Sequence, residues 1–409
     1  MATKPFGKVP NGARQQPEPF ELHVDEQKLQ DMKTLIRLSP VAKDCYENQS
    51  WDRGFGVTRD WMLKTKEYWL NEFDWRATES HINSFPNFKT IIKDDDGYEF
   101  SVHFTALFSE RSDAIPIALF HGWPGSFLEF VPILSLLRQK YTPKTLPYHI
   151  IVPSLPGYTL STPPPLEKNW GISDTARIMH STLLSLGFSA YVVQGGDIGS
   201  YVSRQIAATY PECKAMHLNF CPMPRPDDVP DSSLPVTDVE KEGLERGMKF
   251  VQNGRGYGIM HGTRPSTIGH VLSSSPLALL AWIGEKFLAW VDPERPLPLN
   301  TYLEDISLYW LTDSYPTSIY TYREPFEVSN VKGYFHGQEA LHVAKPTGYS
   351  YFKWEIGGPA PKSWVERTGD VVFHRAHERG GHFAALERPG ELLEDIEGFV
   401  EVAWKNVEK

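Results

Sequence analysis

An apolar stretch that runs straight into a turn of small residues is the feature of this chain that most limits its fold. The segment from Ala190 to Ser200 reads AYVVQGGDIGS. Glycines on both sides of Asp197 predict a sharp strand-to-helix turn, because the central residue of such a turn is strained and larger neighbours would clash. The turn would expose the Asp197 side chain at the carboxyl edge of a sheet. An aspartate that only caps the following helix is the alternative interpretation.

Short apolar segments alternate with helical stretches around this turn. The segments 115–120, 148–152 and 190–194 are bounded by Gly and Pro, which is typical of buried parallel strands. Helical patterns at 127–140 and 173–186 separate them. The alternation predicts right-handed βαβ units, and hence an α/β fold with a mostly parallel central sheet.

The pattern changes on both sides of this region. Helical periodicity precedes it, and a proline-rich stretch at 222–235 leads into further helical segments before strands resume. We therefore predict an N-terminal helical extension wrapping the core (1–110), the first part of the core (111–221), a helical cap insertion (222–335) and the second part of the core (336–409).

Composition excludes several classes of protein. The 409 residues include 41 Lys and Arg against 51 Asp and Glu, a net charge of −10, and lack a strongly basic block, so we expect no nucleic-acid partner. The three cysteines have no metal-ligand spacing, and we predict no metal and no cofactor. Neither a secretory signal nor a membrane-spanning stretch is evident, so we expect a soluble, cytoplasmic protein without a membrane anchor.

A carboxylate at the turn determines the chemistry. Asp197 would be ionised at neutral pH and would need no base to act as a nucleophile. Its target would be an electrophilic sp³ carbon, and the product an alkyl ester on the enzyme. Water must then hydrolyse this ester, which requires a general base and an oxyanion hole.

The base should follow the last strand of the sheet. Three histidines lie there, and His382 follows two glycines and precedes the final helix, where a loop can carry it over the turn. We expect His374 within or at the end of the strand and His377 just beyond it, both in structural roles. Glu355 is the acid predicted to orient His382, with Asp370 as the competitor at the opposite edge.

The order of these residues and an early loop complete the predicted site. Asp197, Glu355 and His382 follow the nucleophile–acid–base order of α/β hydrolases. The backbone N–H groups of Trp123 and Ile198 are the expected oxyanion donors, since Trp123 lies in a loop after an early strand and Ile198 follows the nucleophile.

Three motifs together resemble a known family. HGWPGS at 121–126, GGDIGS at 195–200 and GGHFAALERP at 380–389, with the helical extension, are similar to epoxide hydrolases of the microsomal type, in particular their soluble fungal members. The resemblance implies an α/β-hydrolase fold, the triad above, a homodimer, and two cap tyrosines that hold the epoxide oxygen, Tyr257 and Tyr322.

The residues alone do not select these two tyrosines. Composition does not distinguish Tyr322 from Tyr309, Tyr315 or Tyr320, so the assignment depends on the resemblance. A phenol at either position is a proton donor at neutral pH.

The predicted activity is hydrolysis of epoxides, of an aryl or other xenobiotic-like kind, to vicinal diols, as in detoxification and aromatic hydrocarbon catabolism. The only partners needed are the small-molecule epoxide and water. A haloalkane dehalogenase with the same Asp–Glu–His triad is one alternative, in which the indole N–H of Trp123 could bind the halide. A catalytically inactive α/β-hydrolase-fold binding protein is the other.

Overall fold

One mixed sheet forms the centre of the protein. The computed structural model describes residues 4–227, 229–326 and 336–407. Within these residues the sheet has nine strands in the order β1-β2-β3-β5-β4-β6-β7-β8-β9. The strands are β1 (Glu18–Phe20), β2 (Asn87–Lys93), β3 (Glu99–Leu107), β4 (Ile115–Phe120), β5 (Tyr148–Pro153), β6 (Tyr191–Gly195), β7 (Cys213–Leu218), β8 (Val343–Trp354) and β9 (Gly369–Gly381).

The strand directions divide the sheet into two parts. β1, β2, β3 and β5 pair antiparallel, whereas β5, β4, β6, β7, β8 and β9 pair parallel with their neighbours. The predicted α/β-hydrolase fold with a mostly parallel sheet is confirmed. Strand order reverses at β4, which lies between β5 and β6, and ligands of open α/β sheets bind outside the carboxyl ends of the strands at such a point.

The boundary predicted at residue 110 does not follow the sheet. β2 and β3 precede this boundary, yet they are hydrogen-bonded members of the central sheet. β3 is buried continuously from Val102 to Leu107, so both of its faces pack inside the protein. The further boundary predicted at 335 lies outside the described residues.

Three helices lie before β2. They are α1 (Glu26–Leu38), α2 (Arg59–Asn71) and α3 (Trp75–Asn83). In α1, Leu29, Met32 and Ile36 recur at three- and four-residue steps and are the buried positions, as expected for an amphipathic helix. The Asp25 carboxylate accepts the Gln27 backbone N–H and caps this helix at its start.

The remaining helices flank the sheet or follow β7. They are α4 (Val131–Lys140), α5 (Ile172–Ser185), α6 (Asp197–Thr209), α7 (Asp238–Asn253), α8 (Gly256–Thr263), α9 (Pro265–Leu272), α10 (Pro276–Ala289), α11 (Leu299–Leu311), α12 (Tyr315–Ser318), α13 (Lys362–Val365), α14 (Ala384–Glu387) and α15 (Pro389–Ala403). Of the helices in the described ranges, none is by itself long and apolar enough to cross a membrane, and only the pair α9 and α10, bent by 116°, meets that requirement when both are counted together.

The last strand is longer than its apolar residues indicate. β9 continues to Gly381, so both His374 and His377 lie within it, and the expectation that His377 follows the strand was wrong. β9 is an edge strand that is half exposed along most of its length, and it therefore carries polar residues that an apolar pattern does not detect.

Candidate active site

The turn between β6 and α6 holds Asp197 in a strained conformation. Asp197 has a φ of 43°, in the left-handed region that L-residues rarely adopt. A Cβ atom on Gly195 would lie 2.2 Å from the carbonyl oxygen of Gly199, and one on Gly199 would lie 2.0 Å from that of Phe120. The close backbone approach explains why small residues flank Asp197.

Three residues from different strand ends form one hydrogen-bonded chain. His382 Nε2 lies 3.3 Å from Asp197 Oδ2, and His382 Nδ1 lies 2.6 Å from Glu355 Oε1. Asp197 follows β6 after one residue, Glu355 directly follows β8 and His382 directly follows β9. The structure therefore brings together the three predicted triad residues at the carboxyl edge of the parallel strands.

The loop that carries His382 is fixed on both sides. The His382 backbone N–H donates to the carbonyl oxygen of Trp290 at 2.8 Å. The buried Glu387 carboxylate accepts the backbone N–H groups of Gly381 at 3.0 Å and Phe383 at 3.1 Å. These contacts limit the movement of the imidazole.

The charge on His382 depends on its two carboxylate neighbours. Burial disfavours the imidazolium, but Glu355 and Asp197 outweigh burial and hold the pKa of His382 well above its usual value. The His382 side chain is therefore protonated beside these two carboxyl groups. Any reaction that removes the charge of Asp197 would lower this pKa and would free His382 to accept a proton.

The other two histidines near the end of β9 do not reach this chain. His377 Nε2 lies 2.6 Å from Asp395 Oδ2. His374 Nε2 is buried without a hydrogen-bond partner in the described part of the chain. Asp370 lies at the start of β9, at the opposite edge of the sheet from His382.

One of the two expected oxyanion donors contacts the Asp197 carboxylate. The backbone N–H of Trp123 donates to Asp197 Oδ1 at 2.8 Å. The backbone N–H of Ile198 makes no hydrogen bond to this carboxylate in the residues described, and Ile198 lines the neighbouring cavity in the first turn of α6. Gly122 leaves room for Asp197, since a Cβ atom there would lie 2.2 Å from Oδ1.

A cavity of about 210 Å³ opens over Asp197. Tyr257, Tyr322 and Tyr201 line it, together with Ile198. Burial raises the pKa of both Tyr257 and Tyr322, and the charge of Asp197 adds to this effect. Both phenols therefore stay protonated at neutral pH and are available as donors beside the carboxylate.

Three other tyrosines have partners elsewhere. The Tyr309 hydroxyl donates to the carbonyl oxygen of Gly125 at 2.8 Å. The hydroxyl of Tyr315 lies 2.9 Å from His261 Nε2, and that of Tyr320 lies 2.9 Å from Thr175 Oγ1. None of these three is among the residues that line the cavity over Asp197.

A buried cation that the sequence did not predict lies beside one of the phenols. Lys286 is 4% exposed, and its Nζ lies 5.0 Å from the ring centre of Tyr257 and 5.2 Å from that of Trp282. The signal was present as a charged pair, Glu285 and Lys286, inside the otherwise apolar helix α10. A cation at this distance from an aromatic face is stabilising.

Asp197 also lines a second, much smaller cavity. It measures about 10 Å³ and is bounded by the polar side chains of Asp197, His382, Glu129 and Asn219. Neither Glu129 nor Asn219 was predicted, although Glu129 comes only three residues after the HGWPGS motif. No group of three or more His, Cys, Asp or Glu side chains in the described ranges is arranged to hold a metal ion.

Comparison with known proteins first defines the class. Residues 115–234 match the alpha/beta hydrolase fold family, and residues 17–130 match the epoxide hydrolase N terminus family. The crystal structure of Aspergillus niger epoxide hydrolase superposes with a TM-score of 0.91 at 51% identity, covering 98% of this chain and 100% of that one.

Curated relatives then define the family. A protein of Dothistroma septosporum is 43% identical over 398 residues, covering 97% of this chain and 92% of its own length. Rabbit epoxide hydrolase 1 is 32% identical over 409 aligned residues, covering 93% of this chain and 88% of its own length. The chain belongs to the epoxide hydrolase family. It is an enzyme that hydrolyses epoxides, as the motifs indicated.

Proposed function

We propose that this enzyme converts aryl epoxides such as styrene oxide to vicinal diols through a covalent ester on Asp197. One observation carries the proposal: a single carboxylate faces two protonated phenols in the cavity and also contacts His382. A nucleophile, two acids and a base therefore surround the place where an epoxide would bind.

The first step opens the ring. Tyr257 and Tyr322 donate hydrogen bonds to the epoxide oxygen while Asp197 Oδ2 attacks one ring carbon, because Trp123 already holds Oδ1. The new C–O bond forms as the ring C–O bond breaks, and the oxygen that leaves takes a phenolic proton. Such proton donation typically contributes about 10²–10⁴-fold to the rate. Solvent returns the proton to the phenol.

The second step releases the diol. Ester formation removes the negative charge of Asp197, so the pKa of His382 falls, its imidazolium releases a proton to solvent, and the neutral imidazole becomes a base. His382, oriented by Glu355, takes a proton from water as the water oxygen attacks the ester carbonyl carbon. The N–H groups of Trp123 and Ile198 stabilise the tetrahedral oxyanion. Its collapse breaks the bond to the substrate oxygen, which receives the proton from His382.

The lining of the larger cavity supports the substrate class. Tyr201, Phe220, Tyr257 and Tyr322 place aromatic rings around a volume of about 210 Å³. Aromatic rings favour edge-to-face or offset contacts with another ring, so an aryl group is the substituent that this lining suits best.

Replacing His382 with glutamine tests the two-step scheme. The variant should form the ester with styrene oxide but should not hydrolyse it, so a mass increase of one substrate should accumulate on the peptide that contains Asp197. Mass spectrometry of the intact protein and of its peptides measures this. His342→Gln, at an exposed histidine, is the control and should show turnover without accumulation. Diol formation by His382→Gln at the rate of the unaltered enzyme, with no adduct, would contradict the scheme.

A further inference from the structure

Two separate cavities meet at the Asp197 carboxylate. The larger cavity carries the phenols of Tyr257 and Tyr322, whereas the smaller one contains His382 and neither phenol. In the proposed reaction, substrate arrives from the side of the phenols, while water must approach beside the base. The smaller cavity is therefore on the side from which hydrolysis proceeds.

The smaller cavity fits one water by size and by polarity. Its volume of about 10 Å³ is close to the minimum that a cavity needs to hold one water molecule. Polar groups in a protein interior normally have hydrogen-bond partners. The Glu129 carboxyl has no such partner in the described ranges, and Asn219 uses only Oδ1, which accepts from Gln194 Nε2 at 2.7 Å. Both side chains line the cavity and can bind a water there.

The backbone around Glu129 makes space for its carboxyl group. A Cβ atom on Gly125 would lie 1.5 Å from Glu129 Oε1 and 2.5 Å from its Cδ. Any side chain at position 125 would thus displace this carboxyl. Gly122 does the same for the carboxylate of Asp197 in the same loop, so two glycines of one motif make room for two acids.

The electrostatic surroundings favour a neutral carboxyl at Glu129. Burial raises its pKa well above the usual range, the negative charges of Asp305, Asp197 and Glu355 raise it further, and a charge on His382 opposes the shift. A neutral carboxyl can donate and accept hydrogen bonds without placing a second full negative charge beside the nucleophile.

We propose that Glu129 is a positioning residue that, with His382, holds the hydrolytic water against the carbonyl carbon of the Asp197 ester. This inference rests on the proposed function, because it concerns only the second of its two steps. Glu129 forms and breaks no covalent bond: the water proton goes to His382, and the water oxygen becomes an oxygen of the Asp197 carboxylate. Loss of Glu129 should therefore slow hydrolysis and leave ester formation unchanged.

Single-turnover kinetics separate the two steps. Enzyme in excess is mixed with styrene oxide and quenched in acid at intervals, and the intact protein mass gives the fraction of ester. Glu129→Met keeps similar length and shape but cannot bind water, and its ester should form at the normal rate and decay about 10²-fold more slowly, the cost of about 1 Å of misplacement. Glu129→Gln keeps the hydrogen bonds and should recover most of the lost rate.

A second glutamate provides the matched control. Glu304 is half-buried like Glu129, and its carboxyl accepts a hydrogen bond from Thr78 Oγ1 at 3.4 Å, but it does not line the smaller cavity. Glu304→Met should leave both rates unchanged. If Glu129→Met does not fold, Gly125→Ala displaces the Glu129 carboxyl and should slow the same step.

The outcomes are distinct. Ester decay at the normal rate in Glu129→Met, or an equal slowing of formation and decay, would overturn the role of Glu129. An equal loss in the Met and Gln variants would overturn positioning by hydrogen bonds. Absence of any ester in these variants and in His382→Gln, with diol still formed, would instead overturn the covalent scheme itself.

Discussion

A single methyl group added at Gly122 should move the carboxylate of Asp197, the proposed nucleophile. The Cβ atom of Gly122→Ala would lie 2.2 Å from Asp197 Oδ1, and ordinary van der Waals contact begins near 3.4 Å, so the carboxylate would have to shift by about 1.2 Å. Such a shift lengthens or breaks the 2.8 Å hydrogen bond from the Trp123 N–H. The φ of Gly122 is not in the left-handed region, so alanine adds no backbone strain.

The size of the effect follows from this displacement. Misplacing a reacting group by about 1 Å costs about 10²-fold in rate, which corresponds to about 2.7 kcal/mol in the activation barrier. We therefore expect kcat/KM of Gly122→Ala for styrene oxide to fall about 10²-fold. Initial rates measure this loss, and circular dichroism and thermal melting check that the fold persists.

A second alanine variant controls for the substitution itself. A Cβ atom on Gly390, in the first turn of α15, would meet nothing within 4 Å, so Gly390→Ala should keep full activity. If folded Gly122→Ala retained the kcat/KM of the unaltered enzyme, the Asp197 carboxylate would not be the attacking group in the position described.

Three further substitutions test the two phenols and a buried carboxyl group. Tyr257→Phe and Tyr322→Phe should each slow ester formation in single-turnover experiments by about 10²-fold or more, since each removes a proton donor; unchanged rates in both would refute the role of the phenols. Burial raises the pKa of Asp305 to about 8, so the folded protein binds a proton that the unfolded chain releases near pH 4. The free energy of unfolding should therefore decline as pH rises from about 4 to about 8, by at most about 1.4 kcal/mol per pH unit. Asp305→Asn should remove this decline in urea titrations. An unchanged pH dependence in this variant would contradict the raised pKa of Asp305.

The parts of the site that depend on local sequence could be predicted from the sequence alone. The turn at Asp197 could be predicted because its geometry depends on neighbouring small residues, and the structure shows those close approaches at Gly195 and Gly199. Glu355 and His382 could be proposed because strand order determines which loops share an edge of the sheet.

Contacts between residues distant in sequence could not be predicted from the sequence. The tyrosines Tyr309, Tyr315 and Tyr320 differ from Tyr257 and Tyr322 only in where their hydroxyl groups bind, and these partners come from other elements. The length of the edge strand β9 was underestimated because an apolar pattern indicates only buried positions, and most of this strand is half exposed.

The places of two ionisable side chains, Glu129 and Lys286, could not be predicted because they depend on folded geometry. Glu129 lies within a short helical turn at Phe127–Phe130. Its carboxyl reaches the smaller cavity because Gly125, which has no side chain, leaves room for it. Lys286 looked like an interruption of an apolar helix, whereas its ammonium group packs against the rings of Tyr257 and Trp282.

Isotope labelling in one turnover tests the covalent ester most directly. Enzyme in excess over styrene oxide reacts in ¹⁸O-labelled water, and both the diol and the peptide containing Asp197 are analysed by mass spectrometry. We expect an unlabelled diol and one ¹⁸O atom in the carboxylate of Asp197, because the diol takes its second oxygen from the protein. A diol that carries the solvent oxygen, with an unlabelled Asp197, would show that water attacks the epoxide directly.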